Sequence, residues 1–457
     1  MFLRDLHIQN LKLLRDFRLS FEDVAGEPRM WTVLIGENGT AKSSILQAIA
    51  MASAGRLLVN SLAKPVIGQL YDRRRLEDDS DEPMRITARF AAQPSSDLAA
   101  RSLEAQVTLQ RNQATLRVDH PAGNVTVDDL DEHRASNTGD LFVAAYGVSR
   151  FLPAPTYSSS LQQPAIERME SLFQPRAALH SLAFAELFPA GPDASFAKVL
   201  RDALQAHEAL APMISGIELR GSGGVKSGHD LLERDRFECR LGANAYKLPA
   251  TALSHGYQSI LAWISDFIGH AMLVNPELRS TRDIHGVALI DEIDAFLHPV
   301  WQAGLVDALR AVFPNVQFVV STHSPVILAG VRREEIVRLG HDRISGDVVR
   351  MVHERESGLL QPLGPDEPVD LSGEPDPRTL TGTAIYRDWF GVDRLTLHPQ
   401  GETLQEYSRI ATDPFRTDAE ETQLGRLKAV LAQGGIQVET EPSERLALPG
   451  AADAAGE

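Results

Sequence analysis

The spacing of apolar positions changes repeatedly along this chain, and each change marks a different kind of element. Phe2-Leu3-Arg4-Asp5-Leu6-His7-Ile8 and Phe17-Arg18-Leu19-Ser20-Phe21 read as two short strands, and Trp31-Thr32-Val33-Leu34-Ile35 as a buried one. A glycine-containing loop follows, and Ser44 to Ala52, rich in Ile, Leu and Ala, reads as a helix. Residues 84 to 120 read as antiparallel β: Arg85 to Phe90, Ala105 to Leu109 and Ala114 to Val118, with a short turn around Arg111-Asn112-Gln113. A further strand, Leu141 to Ala145, leads into Tyr146-Gly147.

From about residue 156 the period becomes helical: Pro164 to Phe173, Arg176 to Phe188 and Ala194 to Ala209 form a compact helical insertion, broken by Pro and Gly. It shows no run of heptads. Downstream, an amphipathic helix over 254 to 274, a buried strand Val287 to Ile290, a helix Val300 to Phe313 and a buried strand Val316 to Ser321 predict a mainly parallel sheet covered by helices. After residue 345 the chain turns acidic and rich in Pro and Gly, then carries polar helices to about Gln433. The expected organisation is an α/β head in two halves, residues 1–155 and 216–345, interrupted by the helical insertion 156–215. An accessory, mainly helical region 346–441 and a disordered tail 442–457 complete it.

Four short stretches bring chemistry to this frame. Gly36-Glu37-Asn38-Gly39-Thr40-Ala41-Lys42-Ser43 lies between a strand and a helix, the context a phosphate loop requires. Successive N–H groups and a helix N-terminus converge on anionic oxygens there, and glycines let the backbone approach. Lys42 is assigned to the β- and γ-phosphates, Ser43 to the Mg²⁺ shell and Ser44 to the start of the helix. Ala41 stands where a glycine usually precedes the lysine; if that position needs positive φ, it costs roughly 1–2 kcal/mol. Val287 to Ile290 ends in Asp291-Glu292, two carboxylates at the C-terminal edge of a buried strand, where ligands bind in open α/β sheets. Asp291 is expected to hold Mg²⁺ through water, and Glu292 to act as general base toward the attacking water. Asp294 could touch a second protomer, sit exposed or cap a helix.

Ser254-His255-Gly256-Tyr257-Gln258 opens a helix, so a hydroxyl and backbone amides face an anion there, although a plain N-cap accounts for Ser254 equally well. His323, in Ser321-Thr322-His323, lies just past a buried strand, placed to sense a γ-phosphate. His298 reads as structural or interface-forming, since no second His or Cys lies at ligand spacing. Gly221 to Gly228 has a Lys-Ser pair but no strand and helix around it, and reads as a connection.

The bulk properties narrow the partners. The 457 residues suggest about three domain-sized units with ample apolar content, and no stretch approaches the roughly 18 apolar residues of a membrane span. The N-terminus is unlike a signal peptide, so a cytoplasmic location is expected. A net charge of −17 argues against a surface that coats nucleic acid; Arg73-Arg74-Arg75 runs straight into Glu77-Asp78-Asp79 and reads as a solvated loop. The single cysteine, Cys239, reads as a half-buried strand residue.

In this order the motifs resemble the RecF/SMC-like ABC ATPases, in particular the short-armed group of overcoming-lysogenization-defect heads and Septu-type anti-phage subunits. The resemblance rests on Ile35 to Gly39, Tyr146-Gly147-Val148-Ser149-Arg150, Ala252 to Ser259, Leu289 to Pro299 and Val319 to Pro325, and covers about residues 1 to 345. Weaker similarity reaches Ala384 to Asp393. It implies an ABC-type P-loop ATPase head with an antiparallel β subdomain. ATP and Mg²⁺ would be held by Gly36, Glu37, Asn38, Gly39, Thr40, Ala41, Lys42, Ser43 and Ser44 of one copy and by Ser254, Gly256 and Gln258 of another. Asp291, Glu292 and His323 would complete the site. The implied working unit is a homodimer sandwiching ATP, or a larger assembly of dimers. The Tyr146 to Arg150 stretch falls where the family couples nucleotide state to the inserted lobe. No acidic metal-binding pattern of a fused Toprim nuclease follows His323, so DNA cleavage is not expected of this chain.

The expected role is an ATP-hydrolysing switch in anti-phage defence, with a nuclease or toxin as separate effector. A DNA-clamping repair ATPase and a low-turnover nucleotide-binding scaffold remain the alternatives, and a transporter subunit is disfavoured by the long insertion between residues 36 and 291.

Overall fold

The alternation of side chains along each central strand divides the molecule's interior in two. In the computed structural model, which describes residues 1–70, 83–91, 102–109, 141–152, 161–188, 196–218, 236–241, 244–355, 359–392, 400–438 and 442–443, Trp31, Val33 and Ile35 face one core while Leu34 faces the other. Ala288 and Ile290 likewise oppose Val287 and Leu289. Only a sheet covered on both faces accepts apolar residues at every position.

The chain begins with β1 (Phe2–Leu11), β2 (Leu14–Ser20) and β3 (Trp31–Gly36), followed by α1 (Lys42–Ala63), which breaks at Gly55, φ 73°. Next come β4 (Met84–Ala91), β5 (Ser102–Leu109) and β6 (Val143–Tyr146). The helical lobe holds α2 (Pro164–Glu170), α3 (Phe184–Leu187) and α4 (Phe196–Gln205), and the hairpins β7 (Ile214–Glu218), β8 (Arg236–Leu241) and β9 (Asn244–Leu248) follow. The second half of the sheet alternates α5 (His255–Val274), β10 (Gly286–Ile290), α6 (Pro299–Val312), β11 (Val316–Ser321), α7 (Pro325–Leu328) and β12 (Ile336–His341). Then come β13 (Val348–His353), β14 (Leu360–Leu363) and α8 (Gly382–Phe390).

Among the described residues the central sheet has seven strands in the order β14-β13-β12-β3-β11-β10-β6. The five from β12 to β6 are parallel. Strands β2-β1-β4-β5 and β7-β8-β9 form two further sheets, both antiparallel. The register pairs Leu34 with Ser321, Val320 with Ile290, and Ile290 with Tyr146. Parallel strands in this register bring the segments after Gly36, Tyr146, Ile290 and Ser321 to one edge of the sheet, which builds the candidate site.

Several sequence expectations take a different form. The sheet continues past residue 345: β13 and β14 pair back onto β12, so the expected accessory region begins with sheet strands. The compact unit ends at Phe390, with residues 391–457 forming a second unit. Helix α5 is buried on nearly all sides rather than amphipathic, Asp266 and His270 included. The helix expected over 176 to 188 shrinks to a 3₁₀ turn and the single turn α3. The reason is tertiary: Asp266 accepts the N–H groups of His180 at 2.8 Å and Ser181 at 3.2 Å, and Ser181 takes φ 50°. Cys239 is buried rather than half-buried. The strand expected at 114–118, the Arg73 cluster, the 221–228 connection and Asp393 lie outside the described residues.

The second unit contains α9 (Gly401–Thr412) and α10 (Asp418–Gln433), joined by their own core of Tyr407, Ile410, Ala411, Leu424 and Leu431. Thr417 opens α10 with a capping box: its hydroxyl accepts from the Glu420 N–H, and the Glu420 carboxylate accepts from the Thr417 N–H. Of the tail, only Pro442 and Ser443 are described, and Ser443 N donates to Ala411 O at 2.8 Å.

Candidate functional site

The candidate phosphate loop takes backbone conformations that favour glycine at three positions. Gly36 has φ 153°, and a Cβ there would meet Leu339 O at 2.5 Å. Gly39 adopts φ 88° with open space around it, so conformation alone demands glycine. Ala41 takes φ 59°, ψ 19°, and carries the left-handed strain anticipated from sequence. Thr40 closes the turn through its hydroxyl to Glu37 O at 2.8 Å. Lys42 Nζ donates to Gly36 O at 2.8 Å and Glu37 O at 2.9 Å, which folds the ammonium over the loop it stabilises. Burial lowers the Lys42 pKa, and the charges of Asp291 and Glu292 act in the opposite direction.

The carboxylates meet this loop directly. Ser43 Oγ donates to Asp291 Oδ2 at 2.6 Å, and Ser321 Oγ donates to Asp291 Oδ1 at 2.5 Å. The Glu292 N–H donates back to Ser321 Oγ at 2.8 Å, and Ile293 N reaches Ser321 O at 3.0 Å. Ser321, which sequence marked only as part of a motif, therefore bridges β11 to the acidic turn. Glu292 itself stands at φ 45°. Its charge acts on both Lys42 and His323, so strand β10 delivers it among the charged groups of the loop edge. His323 is exposed, with its pKa lowered first by desolvation and then by Lys42, while Glu292, Asp294 and Asp291 pull it up. Asp294 is half-buried and accepts a short hydrogen bond from the Thr322 hydroxyl, which ties the acidic turn to the histidine segment. Ser43 and Asp291 offer adjoining hard oxygens, the donor chemistry that suits Mg²⁺.

The signature stretch sits differently. Ser254 is exposed and occupies the N-cap position of α5 without capping it through its side chain. Gly256 is buried: a Cβ would meet Phe296 O at 2.8 Å, so glycine lets α5 touch the turn that follows Glu292. Gln258 Nε2 donates to Leu253 O at 2.7 Å and Thr251 O at 3.2 Å, bracing the entry to its own helix. Among the described residues no hydrogen bond joins Ser254, Gly256 or Gln258 to the phosphate loop. His298 caps α6, its Nδ1 accepting from Val300 N at 3.3 Å.

Two features carry no signal in the sequence, and a third, Arg150, is marked there only as part of the Tyr146 to Arg150 motif. Lys12, at φ 48° in the turn between β1 and β2, donates from Nζ to Ser44 Oγ at 2.8 Å, beside the phosphate loop. Nothing in sequence pairs two residues so far apart. Arg150 is fully buried and reaches the main chain of the acidic turn. Behind it lies a buried polar cluster, in which Asp266 accepts from Tyr146 Oη at 3.0 Å. Burial raises Asp266 to about 7 and lowers His180 to about 4. His270 Nε2 lies 3.6 Å from Asp266, but burial holds its pKa well below the usual value, so the ring is neutral and forms no ion pair.

A family model described as "AAA ATPase domain" matches residues 1–133, and one described as "AAA domain, putative AbiEii toxin, Type IV TA system" matches residues 240–329. The chain is 25% identical over 437 residues to the Septu protein PtuA of Bacillus mycoides, covering 94% of this chain and 50% of that protein. It is 41% identical over 93 residues to the Retron Vc95 probable ATPase of Vibrio cholerae, covering 20% of this chain and 18% of that one. The chain thus spans about half the length of the Septu relative it matches. A solved SMC head bound to the C-winged helix domain of ScpA aligns over 79% of this chain and 99% of its own, with 14% identity and a TM-score of 0.43. The motif-based resemblance to ATPases of anti-phage systems accords with the Septu and retron relatives. No helix among the described residues is long and apolar enough to cross a membrane.

Proposed function

We propose that this chain binds and hydrolyses ATP and uses the cycle as a switch in a prokaryotic anti-phage defence assembly whose destructive chemistry belongs to a separate effector. The observation that carries the ATPase reading is the direct contact of Ser43, in the phosphate loop, with Asp291, the first carboxylate after β10. The N–H groups between Gly36 and Ser43, together with the N-terminus of α1, receive the phosphate oxygens. Lys42 donates to the β- and γ-phosphates, and Ser43 and Asp291 hold Mg²⁺, which when bound neutralises charge on those oxygens. Glu292 accepts the proton of the attacking water, and His323, exposed just past β11, contacts the γ-phosphate. Exposed Ser254 at the start of α5 serves the nucleotide of a second copy, which supports an ATP-sandwich dimer. The defence role rests on the Septu and retron relatives.

The test compares Glu292→Gln with Lys42→Ala. Glu292→Gln should slow phosphate release by roughly 10²–10⁴-fold while ATP binding and ATP-dependent dimerisation persist. Lys42→Ala should weaken ATP binding itself. Unchanged turnover in the first variant removes Glu292 from the chemistry, and normal affinity in the second sinks the phosphate-loop assignment. Purifying Glu292→Gln with ATP from its native cell should recover a nuclease or toxin in stoichiometric amount; recovery of DNA with repair factors would instead favour a genome-maintenance clamp.

A further inference from the structure

We propose that Arg150 is a positioning residue for hydrolysis, which sets Glu292 by gripping the main chain of the acidic turn. Its guanidinium is fully buried; Nη1 donates to Asp291 O at 2.6 Å and to Gly147 O at 2.9 Å, and Nη2 donates to Glu292 O at 2.8 Å. In an extended strand successive carbonyls point to opposite sides, so one planar fork cannot take both. The two carbonyls converge here because the chain reverses at Glu292, φ 45°. A left-handed conformation at a non-glycine residue costs roughly 1–2 kcal/mol, and the fork offsets that cost by satisfying two inward-facing acceptors at once.

The strap that carries Arg150 is itself held. Gly147 packs so closely that a Cβ would meet Ser171 O at 2.3 Å, and the strap continues the end of β6, where Tyr146 O accepts from Asp291 N at 2.9 Å. One residue after Arg150, the half-exposed Phe151 ring lies 5.8 Å from that of Phe296. The strap thus grips the turn at its start through Arg150 and near its end through Phe151. Burial lowers the Arg150 pKa only to about 10, with Asp291, Asp294 and Glu292 opposing the shift, so the grip is cationic at neutral pH. This inference rests on the ATPase reading for its chemical consequence but not for its geometry.

The experiment uses the full chain carrying Arg150→Lys, since a lysine keeps the charge but not the fork. The kcat should fall by about 10²-fold, the cost of a small misplacement of a catalytic group, with ATP affinity unchanged. Amide hydrogen exchange of residues 292–297 should accelerate while the rest of the sheet keeps its protection. A proportional loss of affinity and kcat, or unchanged exchange in this turn, would overturn the proposal. If the wild-type chain fails to hydrolyse ATP, the ATPase reading falls, and the exchange comparison alone decides the role of Arg150. Should Arg150→Lys not fold, the wild-type chain decides instead: amides of residues 292–297 that exchange as slowly as the central strands uphold the grip, and exchange as fast as in the exposed turns refutes it.

Discussion

Ala41 holds a backbone position built for glycine. At φ 59° its Cβ crowds the adjoining carbonyl, yet its N-cap place on α1 fixes the direction from which Lys42 enters the loop. Ala41→Gly should raise the unfolding free energy by about 1 kcal/mol, read from urea denaturation. An unmoved midpoint would mean that the loop relaxes around alanine at no cost. Asp266 invites a pH experiment. Its folded pKa, about 7, lies above the unfolded value near 3.9, so the native state holds the extra proton between those values, and this group favours folding more as pH falls through that window. His180, lowered to about 4, and His270, held well below its usual value by burial, work in the other direction: the unfolded chain binds protons below about 6.5 that the native state refuses. In the wild type the two trends oppose each other. Asp266→Asn removes one of them, so that variant should lose more stability than the wild type between pH 7 and pH 5 in parallel urea titrations. Equal losses would show that Asp266 ionises normally in the fold.

At the scale of elements, α5 explains why the helical lobe stays seated. A Cβ on Gly269 would lie 2.1 Å from the Phe184 ring, so only glycine lets α5 and α3 cross this closely. Gly269→Ala should destabilise the protein by roughly 1–3 kcal/mol through overpacking, read as a lowered Tm. Pairing it with Phe184→Leu should recover part of that loss, because the two residues share one contact; strictly additive losses would contradict the crossing. The same docking explains why the 176–188 segment is not one helix, since Asp266 on α5 takes its amides.

For the whole molecule, the two compact units have separate cores, and every residue of the candidate site lies before Phe390. Ending the chain at Phe390 should therefore leave ATP affinity and the melting of the head unchanged, measured by nucleotide titration and calorimetry. A head that unfolds without residues 391–457 would show that the second unit stabilises it. Arg338 supports the expected outcome, because its guanidinium packs 4.7 Å from the centre of the Trp389 ring and so fixes α8 to the sheet inside the first unit.

The amino-acid order by itself determined the local parts. Gly36 and Gly39 mark the loop, the run Val287 to Ile290 marks a strand buried on both faces, and Asp291-Glu292 and His323 fall at strand ends, because side-chain period and backbone freedom are properties of neighbours. Which parts touch was decided only in three dimensions. Ser43 and Asp291 are 248 residues apart, Arg150 and Asp291 are 141, and Lys12 and Ser44 are 32. No local pattern records such pairs. The first two exist because parallel strands in one register carry separate stretches of chain to a single edge; the third exists because the β1–β2 turn of the antiparallel sheet meets the start of α1.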